Sequence, residues 1–267
     1  MASSEATTYE LRDGAAWITL DSPATRNALS AQLITELLGH LRDAMADDAV
    51  RSIVVTGNGK AFCAGADLKG GGTATKAADG TAPTAKQHPL VEILRLMRHG
   101  DKPVVCAVNG AAFGGGLGLV AAGDIVLAVE GAKMSFSEVR IGVIPAIISV
   151  VVLPKLGEHL GMRLFLTGER FDAAKAVEYG LVHRVVPADG LRAAVEEELA
   201  LLHLGGPIAL REAKRLVRSV PTMSEDEGYL YTANKSMALF RSEEAAEGMT
   251  AFAQKRPPRW ASPGGED

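Results

Sequence analysis

Ala61-Phe62-Cys63-Ala64-Gly65-Ala66-Asp67-Leu68 and Asn109-Gly110-Ala111-Ala112-Phe113-Gly114-Gly115-Gly116 are the stretches whose reading decides the fold. Each follows a short β-branched run, Ile53-Val54-Val55-Thr56 before the first and Val104-Val105-Cys106-Ala107-Val108 before the second. Strands that end in small-residue loops leave backbone N–H groups bare and pointing into the cavity the loops enclose. Two such loops on neighbouring strands supply two converging donors, which is the geometry of an oxyanion hole. The second loop runs straight into an apolar helical stretch, so its donors lie at a positive helix end. Enolate or acyl chemistry is indicated before any side chain is named.

Outward from these loops, the chain alternates strands and helices. Tyr9–Arg12 and Ala15–Leu20 flank Asp13-Gly14, a hairpin signal because both turn residues tolerate positive φ. Ser30 caps a helix whose Leu33, Ile34, Leu37, Leu38, Leu41 and Met45 recur at helical spacing. Residues Gly70 to His88 are rich in Gly, Ala and Thr and hold no large apolar residue, so they are expected to form a mobile surface loop or lid. Helix Val91–His99 and strands Ile125–Val129 and Met134–Phe136 are expected on either side of the second loop, followed by a helical region near Ala146–Leu156. Asp172 opens a helix that stops at Gly180, and Leu181–Val186 is a strand closed by Pro187. Beyond it only helical patterns remain: Leu191–Leu202, Ile208–Val217, Glu225–Phe240 and Glu243–Lys255. Strand–helix repeats thus occupy roughly residues 7–186, with a helical unit after them.

The composition narrows the function classes. With 267 residues, 47% of them hydrophobic, the chain buries one large core or one core plus a small appended unit. A net charge of −4 without runs of Lys or Arg excludes a nucleic-acid footprint. Cys63 and Cys106 form no C-x-x-C spacing and read as free thiols of a reducing compartment. The N-terminus is neither a signal nor a transit peptide, and the longest apolar stretch, Val143 to Leu153, is too short to span a bilayer. A soluble cytoplasmic protein is expected.

Several candidate sites fail on inspection. Gly57-Asn58-Gly59-Lys60 lacks the upstream glycine and the following Ser or Thr of a P-loop. Gly116-Leu117-Gly118-Leu119-Val120-Ala121 matches a dinucleotide fingerprint, but the strand before it ends too early. The histidines show no metal-ligand spacing, His183 reads as structural, and no metal site is expected. Cys63 reads as a small apolar filler. Asp67 and Asp124 read as loop anchors that hydrogen-bond backbone N–H groups. Glu138 stands apart: it follows a strand among apolar neighbours, where burial raises a carboxyl pKa and fits it to shuttle a proton. A surface glutamate at a strand end is the competing reading.

Ordered motifs along nearly the whole chain resemble the enoyl-CoA hydratase/isomerase, or crotonase, superfamily. Leu20-Asp21-Ser22-Pro23 through Arg26-Asn27-Ala28-Leu29 is similar to its N-terminal CoA-contacting segment, and Ala61–Leu68 and Asn109–Gly116 to its two oxyanion loops. Thr167-Gly168 with Ala173, Ala176 and Gly180-Leu181-Val182, and Glu247-Gly248-Met249 with Phe252 and Lys255-Arg256, resemble its later signatures. The resemblance implies an α/β fold: a ββα spiral over residues 1–190 that binds the CoA thioester, and a helical trimerisation region over 191–267. Trimers or paired trimers are implied, with no cofactor, because coenzyme A is part of the substrate. The N–H groups of Ala66 and Gly115 would hold the thioester oxygen. Ala64 and Leu68 would lie along the pantetheine and adenine, and Ala28, Gly65, Asp67, Gly114 and Gly118 would also line the substrate. Arg26, with Lys255 of a neighbouring subunit, would face the CoA phosphates.

One departure bears on mechanism. Family hydratases of the best-known type carry two glutamates, and Glu138 stands at the second position while Gly118 stands at the first. A lone glutamate suffices for moving a double bond, since it can take a proton at one carbon and return it at another. Gly118, with Ile144-Pro145-Ala146-Ile147-Ile148-Ser149, is similar to the branch acting on branched glutaconyl-type CoA esters. Hydration of a 2-enoyl-CoA is the leading expectation. A Δ3-Δ2 enoyl-CoA isomerase with Glu138 as sole acid/base and a non-catalytic acyl-CoA-binding relative are the alternatives.

Overall fold

The computed structural model describes residues 5–68 and 88–261. Of the expected lid, only His88 falls among them; the remainder of Gly70–His88 lies outside the described residues. In chain order the elements begin with β1 (Thr7–Arg12), β2 (Ala15–Leu20), α1 (Ala31–Ala46), β3 (Ser52–Gly57), β4 (Ala61–Cys63) and α2 (Pro89–His99). Next come β5 (Val104–Val108), β6 (Ala111–Phe113), α3 (Gly115–Ala122), β7 (Ile125–Val129), β8 (Lys133–Ser135) and α4 (Ala146–Thr167). The remainder is β9 (Phe171–Asp172), α5 (Ala173–Glu178), β10 (Arg184–Val186), α6 (Leu191–His203), α7 (Pro207–Ser219), α8 (Glu225–Phe240) and α9 (Glu243–Ala253).

The hairpin forms as its turn residues require, with Asp13 and Gly14 both at positive φ and Arg12 opposite Ala15. From β2 onward the large sheet is parallel, in the order β1-β2-β3-β5-β7-β10. β3 and β5 are buried along their apolar residues, as strands covered on both faces must be. The Ser30 hydroxyl caps α1 by accepting from Leu33 N, and Leu33, Leu37 and Leu41 seal that helix onto the sheet.

The two glycine-rich stretches differ from simple loops. Ala61–Cys63 of the first form β4 and Ala111–Phe113 of the second form β6, which pair in parallel within a second sheet, β4-β6-β8-β9. Runs of two or three residues rich in alanine carry no alternation to read, so periodicity could not reveal these strands. The strand expected at Met134–Phe136 lies one residue earlier, at Lys133–Ser135, and that expected over Leu181–Val186 keeps only Arg184–Val186. The helix near Ala146 runs on to Thr167, through a break at Gly157 (φ 69°, ψ 171°). α6 adds Leu191, Ala194, Val195 and Leu199 to the same apolar core as the sheet. No helix among the described residues is long and apolar enough to cross a membrane.

Asn27 locks the segment before α1 against the first glycine-rich stretch. It is fully buried in the left-handed region (φ 56°), a conformation asparagine tolerates better than most residues. Its Nδ2 donates to the carbonyls of Asn58 (3.0 Å) and Ala61 (2.8 Å), and its Oδ1 accepts from Ser22 N at 2.8 Å. Asn27→Ala strands these groups in the interior and should cost about 2–4 kcal/mol. Urea denaturation checks this: the midpoint should fall clearly, and an unchanged midpoint would remove Asn27 from its locking role.

Candidate active site

Bare backbone is what brings the site together. Gly65 sits at φ 86°, and a Cβ there would lie 2.8 Å from the carbonyl oxygen of Phe113 and 3.5 Å from Gly115 N. The first loop therefore lies against the second where the candidate donors stand. Asn109 ties them from the side: its Oδ1 accepts from Gly57 N at 3.1 Å, and its Nδ2 donates to Gly59 O at 3.0 Å. Leu29 bridges in parallel to Ala66, with Leu29 N donating to Gly65 O (2.8 Å), and Ala64 N donates to Arg26 O (3.0 Å). The segment holding Arg26 and Ala28 is thereby stitched to the stretch from Ala64 to Ala66.

Gly115 is the first residue of α3, a position whose N–H has no acceptor within its own helix. Among the described residues, neither the Gly115 nor the Ala66 N–H donates to a turn or loop carbonyl. The Gly115 N–H also lies at the positive end of the α3 dipole. Such donors suit a developing oxyanion better than a neutral carbonyl.

Glu138 opens a short 3₁₀ turn, Glu138–Ile141, that Gly142 ends in a left-handed conformation. The side chain points at Gly114: a Cβ on that glycine would lie 3.0 Å from Glu138 Oε1. Oε2 is buried with no hydrogen-bond partner. Burial pushes the carboxyl pKa up, partly offset by a hydrogen bond from the residue's own backbone N–H. A half-buried carboxylate with one oxygen unpartnered beside the paired loops is equipped to take up and return a proton.

Other expected site residues fall into place unevenly. Leu68 and Arg26 are exposed at the edge of this region, and Asp67 is partly buried. Gly118 lies one turn along α3 from Gly114, and its open face is filled, because a Cβ there would lie 2.3 Å from Ile148 Cγ2. Lys255 is exposed just beyond α9, at φ 54°, and its backbone N–H donates to Phe252 O at 3.1 Å. Cys63 is wholly buried in the core, its thiol pushed up to about 12 by that burial. His183 accepts from Val126 N through Nδ1 at 3.0 Å, a structural role. Asp124 accepts from Val104 N (2.8 Å) and pairs with Lys214 (2.7 Å) and Arg218 (2.5 Å), anchoring α7 to the sheet. Asn27, Asn109 and Ile148 were not singled out from sequence. Only the asparagines left a signal there, in their tolerance of turn geometry.

The family model for enoyl-CoA hydratase/isomerase matches residues 10–263. A carnitinyl-CoA dehydratase of Salmonella typhi is 37% identical over 257 residues, covering 91% of this chain and 93% of the relative. Among solved structures, Pseudomonas aeruginosa AtuE superposes with a TM-score of 0.88 at 31% identity, covering 97% of this chain and all of that one (100%). An enoyl-CoA hydratase/isomerase from Marinobacter aquaeolei superposes at 0.87 with 32% identity and the same coverage. The chain is an enzyme of the enoyl-CoA hydratase/isomerase family, and its fold is that of the crotonases.

Proposed function

We propose that this enzyme adds water to, or removes it from, a 2-enoyl-CoA thioester through an oxyanion-stabilised enolate. The observation that carries the reading is the Glu138 carboxylate, half-buried beside Gly114 at the N-terminus of α3, with its Oε2 unpartnered. The thioester oxygen accepts from the N–H groups of Ala66 and Gly115, which draws charge onto that oxygen and makes the β-carbon electrophilic. Water then bonds to the β-carbon while Glu138 takes its proton and the π electrons move onto the thioester oxygen. Glu138 returns that proton to the α-carbon as the enolate collapses. Dehydration runs the same steps backward. Coenzyme A enters as part of the substrate, and the exposed Arg26 meets its phosphates in this reading. The dehydratase named among the relatives supports water chemistry.

A second reading has its own support. Gly118 carries no carboxylate and is covered by Ile148, Glu138 lies beside Gly114, and a single carboxylate suffices for double-bond migration. Incubation of straight, branched and glutaconyl-type 2-enoyl and 3-enoyl esters in heavy-oxygen water separates the two. Label in the product establishes hydration, and unlabelled 2-enoyl product from a 3-enoyl ester would replace it with isomerisation. In either case Glu138→Gln should lower turnover about a hundredfold or more with CoA-ester binding kept. Near-normal turnover in that variant would overturn the Glu138 assignment, whereas tight ester binding by the wild type with no turnover of any enoyl ester would leave a CoA-ester-binding protein.

We also assign α8 and α9 to trimer formation. They expose Tyr229, Leu230, Met237, Phe240, Met249 and Phe252, large apolar side chains that contact with a second copy would take out of water. Lys255 lies at the end of this region, where a neighbouring subunit's site could receive it. Sedimentation equilibrium should return three chain masses or a multiple of three, and a monomer at micromolar concentration would contradict the assignment.

A further inference from the structure

Two cavities adjoin at the end of the large sheet away from the candidate active site. One, of about 290 Å³, is lined by Arg98, His99, Lys214, Arg218, Ser219 and Thr222. The other, of about 390 Å³, is lined by Lys155, His183, Lys214 and Arg218 with Gly123 and Asp124. Lys214 and Arg218 of α7 belong to both. β5 starts here, after Pro103, and α3 ends here, at Gly123; the other end of each adjoins the second glycine-rich stretch. The eight residues of α3 place this crevice about 12 Å from the Gly115 N–H.

The charges of the crevice do not balance. Asp124 pairs with Lys214 (2.7 Å) and Arg218 (2.5 Å), and Asp101 with Arg215 (2.7 Å). Among the described residues Arg98 and Lys155 are in no ion pair. Lys155 Nζ donates to Gly123 O at the end of α3 (3.3 Å), and Lys214 Nζ to Met97 O at the end of α2 (2.8 Å). Each helix end supplies about half a negative charge, so Arg98, Lys155, Lys214 and Arg218 together keep about two positive charges uncompensated. The four share one neighbourhood: burial lowers the Lys155 pKa, and the charges of Arg218 and Arg98 press it further down. A clamp holding α7 to the sheet accounts for Lys214 and Asp124. It leaves Arg98 without a purpose, and it leaves the buried Arg218 Nε–H with no acceptor, which costs free energy until one arrives.

We propose that this crevice is a second binding site, for a phosphate-class dianion: free phosphate or the phosphomonoester group of a small metabolite. A dianion matches the uncompensated charge, where a single carboxylate would cover half of it. Arg98 and Arg218 offer guanidinium N–H groups, Lys155 a compact charge and Ser219 a hydroxyl, the donor set that such an oxyanion takes. Bound there, the anion links α2, α4 and α7, so it stabilises the folded chain by mass action.

The test is thermal melting and isothermal titration of the full chain with inorganic phosphate and with glycerol 3-phosphate, at constant ionic strength set by chloride. Wild type should gain melting temperature from at least one of the two beyond the chloride control. The dissociation constant should rise about tenfold or more in Arg98→Gln and in Lys155→Gln, as loss of a charge-assisted hydrogen bond requires. Without phosphate, Arg98→Gln should melt no lower than wild type, because it relieves a repulsion; a purely structural arginine would lower it. Tighter binding of glycerol 3-phosphate identifies an ester as the ligand, and tighter binding of phosphate identifies the free ion. Arg26→Ala should keep the effect, which separates this crevice from the proposed place of the coenzyme A phosphates. No gain beyond chloride with either ligand would overturn the site. So would an equal gain in Arg98→Gln and Lys155→Gln, or loss of the gain in Arg26→Ala alone. Neither readout involves turnover, so the outcome is independent of the role of Glu138.

Discussion

Close approach to a helix end without side chains is the constraint on which the rest of the site depends. The N-cap and the first two residues of α3 are glycines 114, 115 and 116; a Cβ on Gly115 would lie 2.6 Å from Leu29 Cδ1, one on Gly116 2.5 Å from the Cys63 carbonyl oxygen, and one on Gly114 3.0 Å from Glu138 Oε1. The same bareness leaves the Gly115 N–H uncovered at the positive end of the helix. One feature thus offers a donor to the proposed oxyanion, a place beside it for the carboxylate, and contact with the loop that holds the other proposed donor. Each preorganised donor in such a site contributes roughly 3–4 kcal/mol to the transition state.

The fold exists around this helix end as its support. The large sheet delivers β3 and β5 side by side, and the chain after each turns into the small sheet, where β4 and β6 pair. That second pairing fixes the separation of the two loops more tightly than loops alone could. Asn27 and Asn109 then fasten the surrounding turns through side-chain hydrogen bonds to main-chain groups. α4 packs on α3, with Ile148 against Gly118. Rigidity here has a chemical purpose, since donors that had to reorganise during the reaction would stabilise it less.

How far this was legible in the sequence follows from the range of each interaction. The hairpin, the capped α1 and the parallel core strands are local patterns, and Asp13-Gly14, Ser30 and Val104–Val108 announced them. The paired loops and Glu138 were legible because strand-end glycines and a carboxylate among apolar residues have few other uses. The small sheet was not, because Ala61–Cys63 and Ala111–Phe113 are too short and too uniform to show a period. Ile148 was hidden for a different reason. Its meaning lies in a contact across thirty residues of sequence with a glycine, and a missing side chain leaves no mark of what fills its place. Gly118 read as a lost acid in the sequence; in the structure it is also a packing position.

The central claim is that Ala66 and Gly115 polarise a thioester carbonyl before any proton moves. It is tested most directly by isotope-edited infrared spectroscopy of a 2-enoyl-CoA labelled with ¹³C at the thioester carbonyl and bound to the Glu138→Gln protein, where the ester survives. The account predicts that the carbonyl band shifts to lower frequency than in aqueous buffer, as two charge-drawing hydrogen bonds require. A bound ester whose band stays at its position in water, or moves above it, would contradict the account.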